Sequence, residues 1–286
     1  ITFLGGLLLI GCKEKSTPLA SKQLFADTPV SVPIVAGFVD EASGIADSWV
    51  NPGFLWVEQD SGNPPELTLI GYDGKFRKKI PVWGALNRDW EDMALARGPL
   101  AGVRYIYLAD VGDNNLQYEN YYIYRFPEPE VSVDTVFSWD KITFRYPDGS
   151  HNAEAVFVDD VSRDIFIITK NDAKARLFKL SYPQRLDAPN MASLVGELEF
   201  GQAVSAAMSP DSREVIVKTY SSLYHWNPQN GETIESTFKR LPKLLSYKSE
   251  IQGEAVCFKR DNTGIFTLSE RPFQVSNIEL NFYKRN

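Results

Sequence analysis

A motif that opens with an acid and continues as a short apolar run recurs along this chain at intervals close to 50 residues. Glu41 and Glu91 are 50 residues apart, and Glu154 and Glu254 are 100 apart, which leaves room for one more unit between them. The stretch VSAAMS, with Val204 at the acid position, fills that place. Self-similarity at a period of about 40 to 50 residues is typical of repeat arrays such as β-propellers. The repeat therefore predicts a ring of five similar units.

Each unit also contains further segments with the composition of β-strands. A second run, rich in β-branched and aromatic residues, follows the first after a polar turn. Third and fourth strands follow, and in the fourth unit they are predicted at SLYHWNPQNG and ESTFKRL. The last unit is one strand short, and SVPIVAGFVD (31–40) supplies it. The sequence thus predicts an all-β fold, a five-bladed β-propeller of four-stranded blades closed by an N-terminal strand, which leaves no open sheet edge.

Two other folds are compatible with parts of this pattern. The step from Glu91 to Glu154 is 63 residues, so the enlarged second unit could hide an extra sheet and make the propeller six-bladed. A β-sandwich would also contain hairpins, but nothing in its architecture requires a regular repeat of this length.

The first residues differ in composition from the rest of the chain. ITFLGGLLLIGC (1–12) is uncharged, apolar and too short to span a bilayer, as expected of the later part of a signal peptide. LIGC resembles the lipobox of bacterial lipoproteins, in which the cysteine, here Cys12, is acylated. A flexible tether at 13–29 and a propeller at 30–286 would follow. We therefore expect an exported protein of the bacterial cell envelope, anchored by lipid at the outer membrane or its periplasmic face; the alternative is a buried N-terminal strand.

Charge and composition narrow the classes of partner. The net charge is −7 and the sequence pI is about 5.1, which argues against a nucleic-acid partner and favours a cation or a basic ligand. The chain has only two histidines, so metal sites rich in histidine are not expected. After processing at Cys12, Cys257 is the remaining thiol, and it is expected to be a buried apolar residue.

Propeller geometry predicts that many of the acids meet at one end of the central channel. The start of each innermost strand lies on the same face as the end of the neighbouring second strand. This rule gathers a set of predicted metal ligands, namely Glu41, Asp60, Glu91, Asp92, Asp110, Asn114, Glu154 and Glu254. Beside them it places a set of predicted ligand-binding residues, namely Lys170, Asn171, Tyr220, Glu270 and Arg271.

So many carboxylates cannot all stay ionised side by side unless a cation compensates. Calcium (Ca²⁺), which takes about six to eight oxygen ligands, is the cation that such a ring favours. Two alternatives to a bound metal ion stay open. Lys170, Lys218 and Arg271 could neutralise the ring as a structural salt-bridge network, or mutual repulsion could keep some of the acids protonated.

Several long motifs resemble those of an uncharacterised group of bacterial exported β-propellers, in which DWEDIA and GDIGDN recur. Here they are NRDWEDMALARGP (87–99), YLADVGDNN (107–115), NAEAVFVDD (152–160) and QGEAVCF (252–258). The resemblance covers most of residues 40–275. It implies a propeller fold, and it implies no particular activity.

More distantly, the channel acids are similar to those of calcium-dependent propeller hydrolases, both the gluconolactonase and paraoxonase type and the esterase-like phytases. In those families a channel Ca²⁺ polarises a substrate oxygen and activates water. The similarity implies metal ligands at Glu41, Glu91, Glu154 and Glu254, ligands or supporting groups at Asp60, Asp110 and Asn114, and a general base at His151. Val204 and Lys170 depart from this pattern, because neither is the acid that other units carry.

Two functional hypotheses follow from these residues. The main one is a binding module whose acidic, calcium-binding rim recognises a small molecule, a glycan or a protein. The alternative is a metal-dependent hydrolase of a lactone, an ester or a phosphate ester at the same site. A position of His151 near the acids would favour the hydrolase, because that enzyme needs a base within hydrogen-bond reach or one water away.

Overall fold

In a computed structural model that describes residues 23–170, 173–272 and 277–286, the chain forms five radial antiparallel sheets and one short helix. Blade 1 comprises β2 (Ala42–Asp47), β3 (Phe54–Gln59), β4 (Glu66–Gly71) and β5 (Phe76–Pro81). Blade 2 comprises β6 (Trp90–Arg97), β7 (Arg104–Asp110), β8 (Tyr121–Pro127) and β9 (Asp140–Arg145), with the two-residue strand β13 (Asn190–Met191) added at its edge.

Blade 3 comprises β10 (Ala153–Val158), β11 (Ile165–Thr169), β12 (Arg176–Leu180) and β14 (Ser193–Glu197). Blade 4 comprises β15 (Ala203–Met208), β16 (Val215–Thr219), β17 (Leu223–Trp226) and β18 (Lys243–Leu245). Blade 5 comprises β19 (Gly253–Phe258), β20 (Gly264–Ser269), β21 (Asn277–Lys284) and β1 (Val30–Val35).

The predicted fold is confirmed: the protein is a five-bladed β-propeller of four-stranded blades. The N-terminal strand β1 closes the ring, since it pairs antiparallel with β21 from Val30 opposite Phe282 to Val35 opposite Asn277. The six-bladed alternative is wrong, because the extra residues of the second unit form loops at 111–120 and 128–139 rather than another sheet.

One strand prediction in blade 4 is wrong. The segment ESTFKRL (235–241) does not form the fourth strand, because its first three residues belong to the short helix α1 (Ile234–Thr237). The side chain of Thr233 accepts a hydrogen bond from the Ser236 amide and so caps the start of this helix. The fourth strand follows at Lys243–Leu245, directly after Pro242.

An apolar cluster fills each interface between neighbouring blades. Blades 1 and 2, for example, share a cluster that includes Trp56, Trp90 and Phe126, and blades 3 and 4 share one that includes Phe157 and Trp226. The alternating strand pattern produces this arrangement, because successive side chains of a radial sheet face opposite neighbours. Stability is thus distributed around the ring.

The five innermost strands (β2, β6, β10, β15 and β19) pack side by side around the axis, and Asp92 connects three of them. Its carboxylate accepts hydrogen bonds from the Val156 amide (2.8 Å), the Ala206 amide (3.0 Å) and its neighbour Met93 (2.9 Å). It also accepts one from the Ser205 hydroxyl (3.1 Å). One side chain therefore links blades 2, 3 and 4 at the centre of the channel.

The N-terminal end of the described chain lies on the face opposite to the starts of these inner strands. Phe25 is buried and forms a β-bridge with Arg285, whose amide bonds to the carbonyl of Thr263 in the β19–β20 turn. Residues 23–26 therefore belong to the propeller and not to the tether to which the sequence analysis assigned them. Cys12 and the proposed signal peptide lie outside the described residues. Among the described residues, no helix has the length and apolarity needed to cross a membrane.

Candidate cation site at the channel mouth

A β-bulge occurs at the same place in the first strand of every blade. The register shifts between the first and third residues of β2, β6, β10, β15 and β19. The residues at the five bulges are Ser43, Glu91, Glu154, Val204 and Glu254. A bulge adds one residue that re-aims the local side chains, and here it brings three buried glutamates to the mouth of the channel.

The structural alignment of blade 1 differs from the sequence alignment by two residues. Ser43, not Glu41, occupies the bulge of blade 1. Glu41 corresponds instead to Asp89, because the carbonyl of each accepts a hydrogen bond from the residue just after the second strand, Asp60 or Val111. Glu41 is exposed and accepts a hydrogen bond from the Asn63 amide group (2.5 Å). The expected ring of four glutamates therefore contains three.

Three acids from two neighbouring blades converge at the mouth: Asp60, Asp89 and Glu91. One carboxylate oxygen from each lies within 4.8 Å of the others. The side chains of Asp89 and Glu91 accept no hydrogen bond from the part of the chain that the structure describes. A cation that binds oxygens at about 2.4 Å fits between ligand atoms spaced in this way. We call these residues the three-acid cluster.

Gly112 leaves the space that the three-acid cluster occupies. A Cβ at this position would lie 2.2 Å from Glu91 Oε1 and 2.3 Å from Asp89 Oδ2. The amide of Gly112 also bonds to the Asp89 carbonyl (3.1 Å). Glycine is therefore required for the close approach of this loop to the two carboxylates.

Burial changes the ionisation of the cluster. It raises the pKa of Asp60 to about 6, with a smaller contribution from Asp89. It also holds the pKa of Glu91 well above the usual range, and the neighbouring Glu154 and Asp60 add to this effect. Both carboxyl groups therefore gain from a cation that would compensate their charge.

The next acid around the mouth already has a cation. Glu154 forms an ion pair with Lys170, and it accepts a hydrogen bond from Asn152 (3.3 Å). Burial raises the pKa of Glu154 to about 7, and Glu154 in turn raises the pKa of Lys170 although burial opposes the lysine charge. Neutralisation by a salt bridge thus holds for one acid of the ring. Lys218 pairs instead with Glu250 (3.6 Å), and Arg271 pairs with Asp40 (2.6 Å).

Glu254 and Glu270 form a carboxyl pair on the blade 5 side of the mouth. Tyr220 donates a hydrogen bond to Glu254 Oε1 (2.6 Å), and Gln252 donates one to Glu270 Oε2 (3.2 Å). The Ser43 hydroxyl lies 3.4 Å from Glu270 Oε1. Burial and the adjacent Glu254 raise the pKa of Glu270 to about 8.

Glu58 is a functional candidate that the sequence analysis missed. It is fully buried, and neither of its carboxyl oxygens has a hydrogen-bond partner among the described residues. Its Oε1 occupies the space over Gly44, where a Cβ would come within 2.8 Å of that oxygen. Burial, then the negative charges of Asp92, Asp60, Glu270 and Glu254, hold the pKa of Glu58 well above its ordinary value. These four acids therefore lie near enough to Glu58 to act on its ionisation.

Three predicted site residues have other positions or partners, and a fourth is not described by the structure. Asp92 is on the axis, where its oxygens accept four hydrogen bonds. Asp110 is buried and accepts a hydrogen bond from the Asp89 amide (2.9 Å). Asn114 is exposed and accepts one from Asn152 (3.2 Å). Asn171 lies outside the described residues.

His151 lies among aromatic residues. Its ring packs edge-on against Tyr146 (4.9 Å between centroids) and beside Phe178. Its Nε2 lies 3.0 Å from Asp148 Oδ1. These neighbours belong to the apolar cluster between blades 2 and 3 or to the loop before β10, so none of them is an acid of the mouth.

Fold and site together define a five-bladed β-propeller with an acidic channel mouth. No protein-family model matches the chain, and no curated protein matches it by sequence. The suggested membership of the exported propellers with DWEDIA motifs therefore stays a prediction.

The fold is similar to those of several solved structures. An auxiliary nutrient binding protein from Bacteroides thetaiotaomicron is 9% identical, with 91% of this chain and 73% of that chain covered and a TM-score of 0.50. A chain of the nidogen/laminin complex is 12% identical (84% and 83% covered, TM-score 0.48). The Dos1 propeller is 10% identical (80% and 53% covered, TM-score 0.42), so this chain spans about half the length of that one. At these identities the similarity concerns the fold alone.

Proposed function

We propose that this protein is a lipid-anchored, extracytoplasmic binding protein that holds Ca²⁺ in the three-acid cluster and recognises its ligand through that ion. The observation that carries the proposal is the convergence of Asp60, Asp89 and Glu91, with one oxygen of each within 4.8 Å of the others. The ligand is a small molecule, a glycan or a segment of another protein.

The chemistry of the three-acid cluster supports a hard divalent cation. All three ligands are carboxylates, which suit Ca²⁺ better than a transition metal. Three protein groups leave coordination positions for water or for oxygen atoms of a ligand. Asp89 and Glu91 have no competing hydrogen-bond donors in the described chain, so a cation would complete their interactions.

The position of the mouth supports an outward-facing binding role. Residues 23–26 lie on the opposite face of the propeller. A lipid on Cys12 would therefore attach the protein from the far side and leave the mouth directed away from the membrane. The Bacteroides protein of similar fold is a nutrient binding protein, so a propeller of this kind is compatible with ligand binding.

The hydrolase alternative has less support. Its proposed base, His151, is engaged with Asp148, Tyr146 and Phe178. The hydrolase thus stays a prediction without an observation in its favour.

Thermal unfolding of the purified protein in EDTA and then across a Ca²⁺ titration tests the proposal, with Mg²⁺ as the control ion. We expect a saturable rise in melting temperature with Ca²⁺, equivalent to about 2.7 kcal/mol at a concentration 100 times the Kd. The rise should disappear in Glu91→Gln. It should persist in Glu41→Gln, which removes an exposed acid on the same face.

An equal rise in the wild type and in Glu91→Gln would overturn this assignment of the site. No rise with Ca²⁺ in the wild type would overturn the metal-binding function itself.

A further inference from the structure

The Glu254–Glu270 pair has no ion-pair partner of its own among the described residues. In the part of the chain that the structure describes, no lysine or arginine lies within salt-bridge distance of either carboxyl group. Their hydrogen-bond donors are the uncharged Tyr220, Gln252 and Ser43. Burial and the nearby Glu254 raise the pKa of Glu270 to about 8, so a cation bound here would favour the ionised form of both groups.

Glu58 is a second and independent sign of a missing partner. Its side chain extends from β3 over Gly44 towards the axis, and both of its oxygens are buried and unpartnered among the described residues. Its electrostatic neighbours include Glu254 and Glu270. Buried polar groups normally have a hydrogen-bond partner, so an unsatisfied carboxyl group beside these acids indicates that a donor is missing here.

A divalent metal at the three-acid cluster would not neutralise this side of the mouth. The two positive charges of the ion would leave one negative charge on the three ionised acids Asp60, Asp89 and Glu91. Lys170 balances the charge of Glu154. Glu254 and Glu270 then remain without a salt bridge of their own, although the charges of Lys170 and Lys218 also act on Glu254.

We propose that the Glu254–Glu270 pair binds the primary ammonium group of an organic ligand whose oxygen atoms reach the Ca²⁺ of the three-acid cluster. An ammonium group donates three hydrogen bonds, which matches two carboxylates and one further acceptor. This subsite rests on the proposed function, because the calcium ion defines the other end of the ligand.

The geometry favours an ammonium over a second metal ion. Among the described residues, only one group of three or more Asp, Glu, His or Cys side chains is compact enough to hold a single ion. That group is Asp60, Asp89 and Glu91. Glu254 and Glu270 therefore lack a third acid at metal-binding distance.

The test uses 1,4-diaminobutane as the probe and 1,4-butanediol as its neutral control, measured by calorimetry on the purified protein in saturating Ca²⁺. We expect the diamine to bind with a Kd of about 1 mM or tighter and the diol not to bind. Glu270→Gln should weaken the diamine by about tenfold or more, because one charge-assisted hydrogen bond is lost, and should weaken Ca²⁺ binding much less, because Glu270 is not one of the three proposed ligands of the ion. Glu41→Gln is the matched control and should bind the diamine and Ca²⁺ with the same affinities as the wild type.

Glu254→Gln provides a second variant if Glu270→Gln unfolds, and it should weaken the diamine in the same way. Two outcomes would overturn the ammonium subsite alone, provided that Ca²⁺ still binds. One is that the wild type does not bind the diamine, and the other is that both variants bind it as tightly as the wild type does. If the wild type does not bind Ca²⁺, the proposed function and the ligand model built on it are overturned, whether or not the diamine binds.

Discussion

Asp89 and Asp92 are three residues apart in the same motif, yet their carboxylates lie in opposite environments. Asp89 opens towards the channel mouth and accepts no hydrogen bond from the described chain. Asp92 is fully buried on the axis and accepts four. The bulge at Glu91 separates them, because it shifts the register of β6 between Trp90 and Asp92. The acids of the motif therefore divide between a candidate binding site and the fold itself.

Replacement of these two acids by asparagine should separate the two roles. Asp92→Asn places an NH₂ group where an oxygen now accepts hydrogen bonds from backbone amides, so we expect a loss of about 1 to 3 kcal/mol in the free energy of unfolding. Asp89→Asn should change that free energy by less than about 0.5 kcal/mol but abolish stabilisation by Ca²⁺. Urea unfolding of both variants, with and without Ca²⁺, measures these effects. Equal stability losses in the two variants would contradict the division of roles.

Gly44 is required by the close approach of two inner strands. A Cβ there would lie 2.7 Å from the Met93 amide nitrogen and 2.9 Å from the Asp92 Cα, both of which are backbone atoms. Gly44→Ala should therefore lower the free energy of unfolding by about 1 to 3 kcal/mol. Gly196→Ala is the matched control, since a Cβ at Gly196 meets nothing within 4 Å. A neutral Gly44→Ala in urea unfolding would show that the strands are further apart than the structure indicates.

Gly112 should affect the site more than the fold. A Cβ would collide with the ends of the Glu91 and Asp89 side chains, which can move, and not with backbone. We expect Gly112→Ala to keep most of the stability in EDTA but to weaken Ca²⁺ binding by about tenfold, because both displaced carboxylates are proposed ligands. Calorimetric titration with Ca²⁺ measures the change. Unaltered affinity would exclude Asp89 and Glu91 as joint ligands.

Stabilisation by Ca²⁺ should depend on pH. Burial raises the pKa of Asp60 to about 6 in the folded protein, so this acid favours the folded state at low pH, and the benefit is lost as the pH rises through about 6. Ca²⁺ binds the ionised carboxylate and reverses the trend. The rise in melting temperature caused by Ca²⁺ should therefore grow between about pH 5 and pH 7.5. A rise that is constant over this range would argue against Asp60 as a ligand.

Much of the fold was predictable because the repeat is present in the residues themselves. The repeated apolar runs, four of them opened by an acid and the fourth by Val204, predicted five blades. The last unit lacked one strand, and the segment 31–40 was predicted to supply it, as the pairing of β1 with β21 confirms. The error at ESTFKRL arose because apolar composition does not distinguish a strand from a helical turn capped by Thr233.

The site was less predictable, because it depends on register. The sequence alignment equated Glu41 with Glu91, but the bulge of blade 1 falls at Ser43, and a shift of this kind changes which side chain reaches the channel. Asp89 was visible in the motif but was not chosen as a ligand. Glu58 carried one usable signal, a charged residue inside an otherwise apolar strand, but only the structure shows that it extends over Gly44.

The central claim is that the three-acid cluster holds one calcium ion, and equilibrium dialysis with radioactive Ca²⁺ tests it most directly. We expect one bound ion per chain in the wild type and in Glu41→Gln, and none in the double variant Asp89→Asn with Glu91→Gln. Binding of one ion that survives in the double variant, or no binding in the wild type, would contradict the account.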